Sequence, residues 1–296
     1  MALFSRAKFA PQGEGGREMG AGPVAGAVSI RKVSKTYDPD GAQVVALHEC
    51  SAEISAGEFV AIVGPSGCGK STLLNILAGF DTLTAGEIYL DGMPLATVDS
   101  SPRPGPDRVV VFQHGALFPW KTVLENVMYG PVRQKILTKD EAKRKGLALL
   151  QRCGGLDRVA SSYPAQLSSG MQRRVEIVRA LMNDPKVLLL DEPFRAMDTV
   201  SKTTMHQHLL EIYELCRKTI VFITHDLEEA IYLSDTVLVM TTRPGKIKKV
   251  LRVNLPRPRA LEMMSSHVYI DLKRQAAAEV HEEAKKAFER GEREQA

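Results

Sequence analysis

Long apolar runs are missing from this sequence: none approaches the roughly 18 residues that a membrane-spanning helix needs, and stretches such as Val187 to Leu190 have the length of core strands. The four cysteines, Cys50, Cys68, Cys153 and Cys216, form no CxxC pair and have no histidines at zinc-site spacing. That pattern fits reduced thiols in a cytosolic protein better than a metal site. Neither sign of charge dominates: 39 Lys and Arg face 35 Asp and Glu, a formal +4. This falls short of the clustered basic field of a dedicated DNA-binder, so no nucleic-acid partner is expected. The amino terminus carries Arg6 and Lys8 and then Pro11, Gly13 and Glu14, with no apolar stretch of signal-peptide length, so secretion is not expected. There is no internal repeat.

What is present suffices for a large domain, since 296 residues at 44% hydrophobic content can bury a sizeable core. Residues 1–27, rich in Gly, Ala and Pro without periodicity, read as a flexible leader. From Val28 short β-branched runs alternate with helical stretches. The strand candidates are Val28 to Ile30, Phe59 to Val63, Val109 to Phe112, Val187 to Leu190, Thr219 to Ile223 and Thr236 to Met240. Lys70 to Ala78, Lys139 to Cys153, Gln172 to Met182 and Ser201 to Arg217 read as helices, which implies an α/β fold with a largely parallel sheet. The block from about 115 to 182 lacks strand signals and reads as a helical insertion. Residues 253–296 turn polar and Ala/Glu/Lys-rich, the composition of a solvated surface helix, with docking of a partner as the second reading.

The strongest local signal is Gly64-Pro65-Ser66-Gly67-Cys68-Gly69-Lys70-Ser71, followed by Thr72. It satisfies GxxxxGK[ST] and lies between a predicted strand and a predicted helix, the context the motif requires. Its glycines let backbone N–H groups face phosphate oxygens, Lys70 brings positive charge to the β- and γ-phosphates, and the Ser71 hydroxyl suits Mg²⁺. A nucleoside triphosphate is the natural ligand. Downstream, an apolar strand ends in Asp191 and Glu192. Asp191 is placed to hold the Mg²⁺ shell and Glu192 to polarise an attacking water as general base. Cys68 sits where a bulky adduct is expected to occlude phosphate, so alkylation should inhibit and ATP should protect.

Leu167-Ser168-Ser169-Gly170-Met171, leading into Gln172-Arg173-Arg174-Val175, resembles the LSGGQ signature of ABC ATPases. Taken singly, Tyr37 is an ordinary aromatic and His225 an ordinary helix-cap histidine. In the family's order they resemble the adenine-stacking aromatic and the switch histidine, with Gln113 in the Q-loop and Asp198 in the D-loop. The resemblance covers about residues 28–252 and implies an ABC ATPase: a P-loop NTPase with a RecA-like core, an antiparallel β subdomain and a helical signature subdomain. It implies ATP and Mg²⁺ as ligands, with Gln113 near the metal beside Ser71 and Asp191, Asp198 among the nucleotide-binding residues, and Ser168 and Gly170 serving the ATP held by a second copy of the chain in a head-to-tail dimer. Three positions depart from the pattern: Ser169, Met171 and Arg195 in Phe194-Arg195-Ala196-Met197-Asp198.

Ala116-Leu117-Phe118-Pro119-Trp120 and Glu125-Asn126-Val127 resemble the importer ATPases for nitrate, sulfonates and taurine, as do Thr242 to Ile247 and Leu255 to Arg259. That resemblance implies an ATPase peripheral to the cytoplasmic face of the inner membrane, with integral-membrane permease subunits as partners and a solute-binding protein acting indirectly. Trp120 then either fills the core or lines a cleft for the permease's coupling helix. An ABC ATPase of another system, or a nucleotide-gated scaffold with weak hydrolysis, is the alternative.

Overall fold

The computed structural model describes residues 24–38, 40–100, 102–195 and 197–289; residues 1–23 of the expected leader and 290–296 of the tail lie outside the described residues. The chain opens with an antiparallel hairpin, β1 (Val28–Tyr37) and β2 (Val44–Ile54), and continues into β3 (Phe59–Val63) and α1 (Lys70–Ala78). β4 (Ala85–Leu90) and β5 (Met93–Thr97) then complete a four-stranded antiparallel sheet in the order β2-β1-β4-β5. β6 (Arg108–Val111) leads into three helices, α2 (Val123–Arg133), α3 (Lys139–Arg152) and α4 (Ser169–Leu181). The remainder alternates β7 (Val187–Asp191), α5 (Thr199–Cys216), β8 (Thr219–Ile223), α6 (Leu227–Leu233) and β9 (Thr236–Met240), and closes with β10 (Ile247–Arg252) and α7 (His267–Glu289).

The second sheet runs β10-β9-β3-β8-β7-β6, parallel throughout except for β10 at its edge. Its inner strands are apolar runs because both faces are covered. Phe59, Ala61 and Val63 of β3 join Leu188, Leu190 and Phe222 in one core layer with the helices, while Val60 and Ile62 join Leu189, Val221 and Ile223 in the layer beneath α1 and the antiparallel sheet. The parallel register aligns Ile62 and Asp191 with Ile223, and Val111 with Leu190. The loops that follow β3, β6, β7 and β8 therefore leave from one edge, where open α/β sheets collect their ligands.

The helical block contains no strand among its described residues, and α2 is an element that the residue pattern did not reveal. Gly130 and Pro131 weaken its helix signal, yet Gly130 permits close approach: a Cβ there would stand 2.4 Å from Asn183 Oδ1, at the end of α4. The start of α2 is fixed by a capping box between Thr122 and Glu125, and α3 has the same device in Thr138 and Glu141.

The carboxy-terminal helix is packed rather than merely solvated. Tyr269, Ala276, Glu283 and Ala287 of α7 are buried, and Glu283 accepts a 3.0 Å hydrogen bond from the Thr242 amide. Lys248 lies within 3.0 Å of carboxylate oxygens of Glu279, Glu282 and Glu283. Among the described residues no helix is long and apolar enough to cross a membrane.

Candidate active site

The loop between β3 and α1 is built against β2. Gly69, immediately before α1, has φ 96°, and a Cβ on it would stand 2.7 Å from Leu47 Cδ2 and 2.9 Å from the Ala46 carbonyl. Only glycine accepts both the left-handed backbone and the contact. No side chain caps α1 and its first turn carries no acid, so the helix presents its positive end without competition. The buried Lys70 folds back over the loop and donates to the carbonyls of Gly64 at 2.8 Å and Pro65 at 2.9 Å. Ser66, Gly67, Cys68, Gly69, Lys70, Ser71 and Thr72 line a cleft of about 600 Å³ together with Tyr37, Gln113, Asp191 and Glu192.

At the end of β7, Asp191 Oδ1 lies 3.4 Å from the Ser71 hydroxyl. Burial raises the Asp191 carboxyl above its ordinary range; the Ser71 hydrogen bond opposes this and the neighbouring Glu192 charge adds to it. Glu192 has φ 42°, a left-handed conformation that costs a glutamate on the order of 1 kcal/mol. Its amide donates to Ile223 at 3.0 Å, which holds the turn at the end of β8. The turn places Glu192 Oε2 3.5 Å from His225 Nδ1 and 3.2 Å from Arg195 Nη1. His225 and Glu192 thus meet although 33 positions separate 192 from 225 in the sequence.

Tyr37 presents a partly exposed ring at the cleft. Its hydroxyl donates to Asp81 at 2.6 Å, and the Lys35 ammonium lies 4.9 Å from the ring centre, so the aromatic is held from two sides. Ser168, Gly170 and Asp198 lie elsewhere. Ser168 is the N-cap of α4, accepting from the Met171 amide at 3.3 Å, and Asp198 is the N-cap of α5, accepting from Val200 and Ser201 at 3.1 and 3.0 Å. A Cβ on Gly170 would come no nearer than 3.9 Å to any neighbour, so the start of α4 is open. None of the three lines the cleft that holds Lys70.

One expectation changes and one open alternative closes. Cys68 is fully buried, its sulfur 3.7 Å from Lys70 Nζ, and burial raises the thiol's pKa. A buried, protonated thiol is a poor nucleophile, so the expectation of ready, ATP-protected alkylation does not hold for the folded chain. Trp120 is 69% exposed and does not fill the core. Its ring centre lies 5.7 Å from that of Phe118, which meets Tyr129 at 4.7 Å; Phe118 and Tyr129, with Phe80 and Phe112, line a groove of about 570 Å³.

The residue pattern missed the group that positions Gln113. From α4, Arg173 donates to the carbonyls of Phe112 at 2.6 Å and Gln113 at 2.7 Å, and pairs with the buried Glu176 at 2.7 Å. Glu176 in turn accepts from the Ala116 amide at 2.6 Å, and Arg179 donates to the Ala116 carbonyl at 2.7 Å. The available signal was three charges at i, i+3 and i+6 on a helix face otherwise apolar. Asn126, wholly buried in α2, likewise fastens the next segment, accepting from the Phe118 amide at 2.8 Å and donating to carbonyls of Phe118, Lys121 and Thr122.

A glycine-rich loop at the end of a central parallel strand, a lysine over it and a carboxylate pair on the next strand but one define a P-loop nucleotide-binding protein. Residues 47–195 match the ABC transporter family, and the chain belongs to that family. It is 42% identical over 233 residues to an aliphatic sulfonates import ATP-binding protein of Bacillus cereus, covering 79% of this chain and 88% of the relative. A nitrate import ATP-binding protein of Synechococcus elongatus is 40% identical over 231 residues, 78% of this chain and 82% of the relative. Among solved structures, a dimeric bacterial ABC transporter cassette superposes with a TM-score of 0.65 at 33% identity, over 77% of this chain and 100% of that one. A post-hydrolysis cassette bound to ADP and phosphate matches over the same shares with a TM-score of 0.64. The chain is an ABC-type ATPase, the ATP-binding subunit of a transporter.

Proposed function

We propose that this chain energises uptake of a small anionic solute, of the class of nitrate, sulfonates or taurine, through a separate permease. It works as a head-to-tail pair on the cytoplasmic face of the inner membrane, with a solute-binding protein acting through the permease. The observation that carries the pairing is the division of the site: Lys70, Ser71, Gln113, Asp191 and Glu192 share one cleft, and Ser168, Gly170 and Asp198 lie outside it. A second copy bringing its own α4 N-terminus over the cleft completes an anion site at the γ-phosphate. The import names of the two curated relatives support the choice of solute class.

In the completed site Tyr37 stacks on adenine, and the amides of residues 64–72 with Lys70 hold the phosphates. The Ser71 hydroxyl and the Asp191 carboxylate, 3.4 Å apart and joined by the side chain of Gln113 in the same cleft, form a small set of hard oxygen donors that suits Mg²⁺. The raised Asp191 pKa fits the same role, since a buried carboxylate gains most from a nearby cation. When bound, Mg²⁺ neutralises charge on the β- and γ-phosphates. Glu192 takes a proton from the attacking water, and His225, touching the same carboxylate, orients that water and the γ-phosphate.

The aromatic groove lined by Phe118, on which Trp120 packs, receives the permease's coupling helix, because Glu176 in its wall pairs with Arg173, which bonds the Gln113 carbonyl. The test is co-purification with the native permease and ATPase assays in liposomes with the binding protein, across nitrate, taurine and alkanesulfonates. Stimulation by one of these solutes is expected, and Trp120→Ala should remove it while leaving stability within about 0.5 kcal/mol, as for other exposed positions. Turnover indifferent to permease and to every solute counts against import.

A further inference from the structure

Arg195 stands three residues after the carboxylate assigned as general base, and its surroundings give it more to do than pair on a surface. Its backbone is fixed: the Arg195 amide donates to the Glu192 carbonyl at 3.2 Å, and the preceding Phe194 is buried against Phe222 and His206 with ring centres 5.8 and 5.0 Å away. Its side chain is not fixed in the same way. It is 51% exposed and meets Glu192 through Nη1 alone at 3.2 Å, one of five N–H donors. The residue lines the phosphate cleft with Lys70, Ser71 and Gln113, and also borders the adjoining hollow at Gln113, His114 and Gly115.

We infer that Arg195 is an additional phosphate-binding residue of this ATP site, parked on Glu192 without ATP and transferred to the γ-phosphate when ATP binds; this rests on the reading of the cleft as the ATP site. Two charges compete for the guanidinium. A carboxylate held by one donor offers a single long contact, whereas a terminal phosphate offers several oxygens at the spacing of the guanidinium fork. The parked state also occupies Glu192 Oε2 with the Arg195 guanidinium. Transfer to the γ-phosphate frees Glu192 to accept a proton when substrate is present and adds positive charge where it is needed. ADP has no γ-phosphate and leaves Arg195 on Glu192.

The experiment compares Mg²⁺-dependent binding of a non-hydrolysable ATP analogue and of ADP to the full-length wild type, Arg195→Ala and Arg195→Lys. Loss of a charge-assisted contact made only to the γ-phosphate is expected to weaken the ATP analogue by about tenfold or more in Arg195→Ala, with ADP affinity changed less than about twofold. Arg195→Lys, which keeps the charge without the fork, should fall between. Equal loss for both nucleotides, or no loss for either, overturns the assignment. A folded wild type that binds neither nucleotide instead removes the reading of the cleft as an ATP site, so the two failures are told apart.

Discussion

Arg173 Nη2 donates to the backbone carbonyl of Gln113 at 2.7 Å, a bond from α4 to the loop after β6. The helix that begins at Ser168 therefore holds in place the residue assigned to the metal and the water. A buried pair ties α4 to the Gln113 loop, since Arg173 and Glu176 are both buried and share the loop's carbonyls and amide. Arg173→Met leaves Glu176 with an unpaired buried charge and should cost about 3 kcal/mol in chemical denaturation. The double variant Arg173→Met/Glu176→Leu removes that charge and should regain most of the stability, yet the Phe112 and Gln113 carbonyls and the Ala116 amide lose these partners, and of the bonds from α4 to the loop, that from Arg179 to the Ala116 carbonyl is kept. Its turnover should remain depressed with little change in ATP affinity. Turnover that recovers along with stability shows that the pair serves folding alone.

Glu192→Gln preserves the shape of the side chain and removes its ability to accept a proton. Turnover is expected to fall by about 10² or more, the usual scale of a lost general base. The closed state still forms, so gel filtration with excess ATP and Mg²⁺ should show a dimer. Persistent monomer under those conditions would falsify the proposal that two copies close over bound ATP.

The parallel core was legible because burial on both faces leaves an apolar signature. β3, β7, β8 and β9 each stand out as four or five consecutive apolar residues. β2 and β4 were not, since one face of each meets solvent and polar residues such as Glu49, Glu53 and Glu87 interrupt the pattern. The same contrast runs through the site. Lys70, Ser71, Asp191 and Glu192 announce themselves by motif and by position at a strand end, but Arg173 and Glu176 act by reaching a loop some 60 residues earlier. Nothing local in the chain encodes that reach. Cys68 was misjudged for a related reason: a place in the phosphate loop says nothing of which way a side chain turns, and this one is buried.

That burial makes a direct claim about reactivity. Cys68 should react with iodoacetamide at pH 7.5 far more slowly than a free thiol, because burial raises its pKa and blocks approach. Saturating ATP should leave the rate unchanged. In denaturant the same residue should label readily. Rapid labelling of the native chain, slowed by ATP, shows instead that the sulfur is accessible from the cleft.

Acid should loosen α7 before it unfolds the core. Burial by itself pushes the Glu283 carboxyl up, but Lys286 and Lys248 outweigh it and hold the group below its ordinary value. Glu282, between the same two lysines, is held down to about 2. Glutamates whose pKa is lower in the docked helix than in the free one contribute docking free energy that is complete above the free value of 4.5 and drains away as pH falls through the docked values. The amide resonances of Ala276 and Ala287, buried on the docked face, should therefore hold their positions from pH 7 to about 4.5 and shift towards free-helix values only below it. Glu283→Gln retains the size of the side chain and an acceptor for the Thr242 amide but loses the charge that meets Lys248 and Lys286 at 3.0 and 2.8 Å. Its undocking midpoint should move to higher pH. A midpoint that does not move means that packing of Tyr269, Ala276 and Ala287, rather than charge, holds the helix.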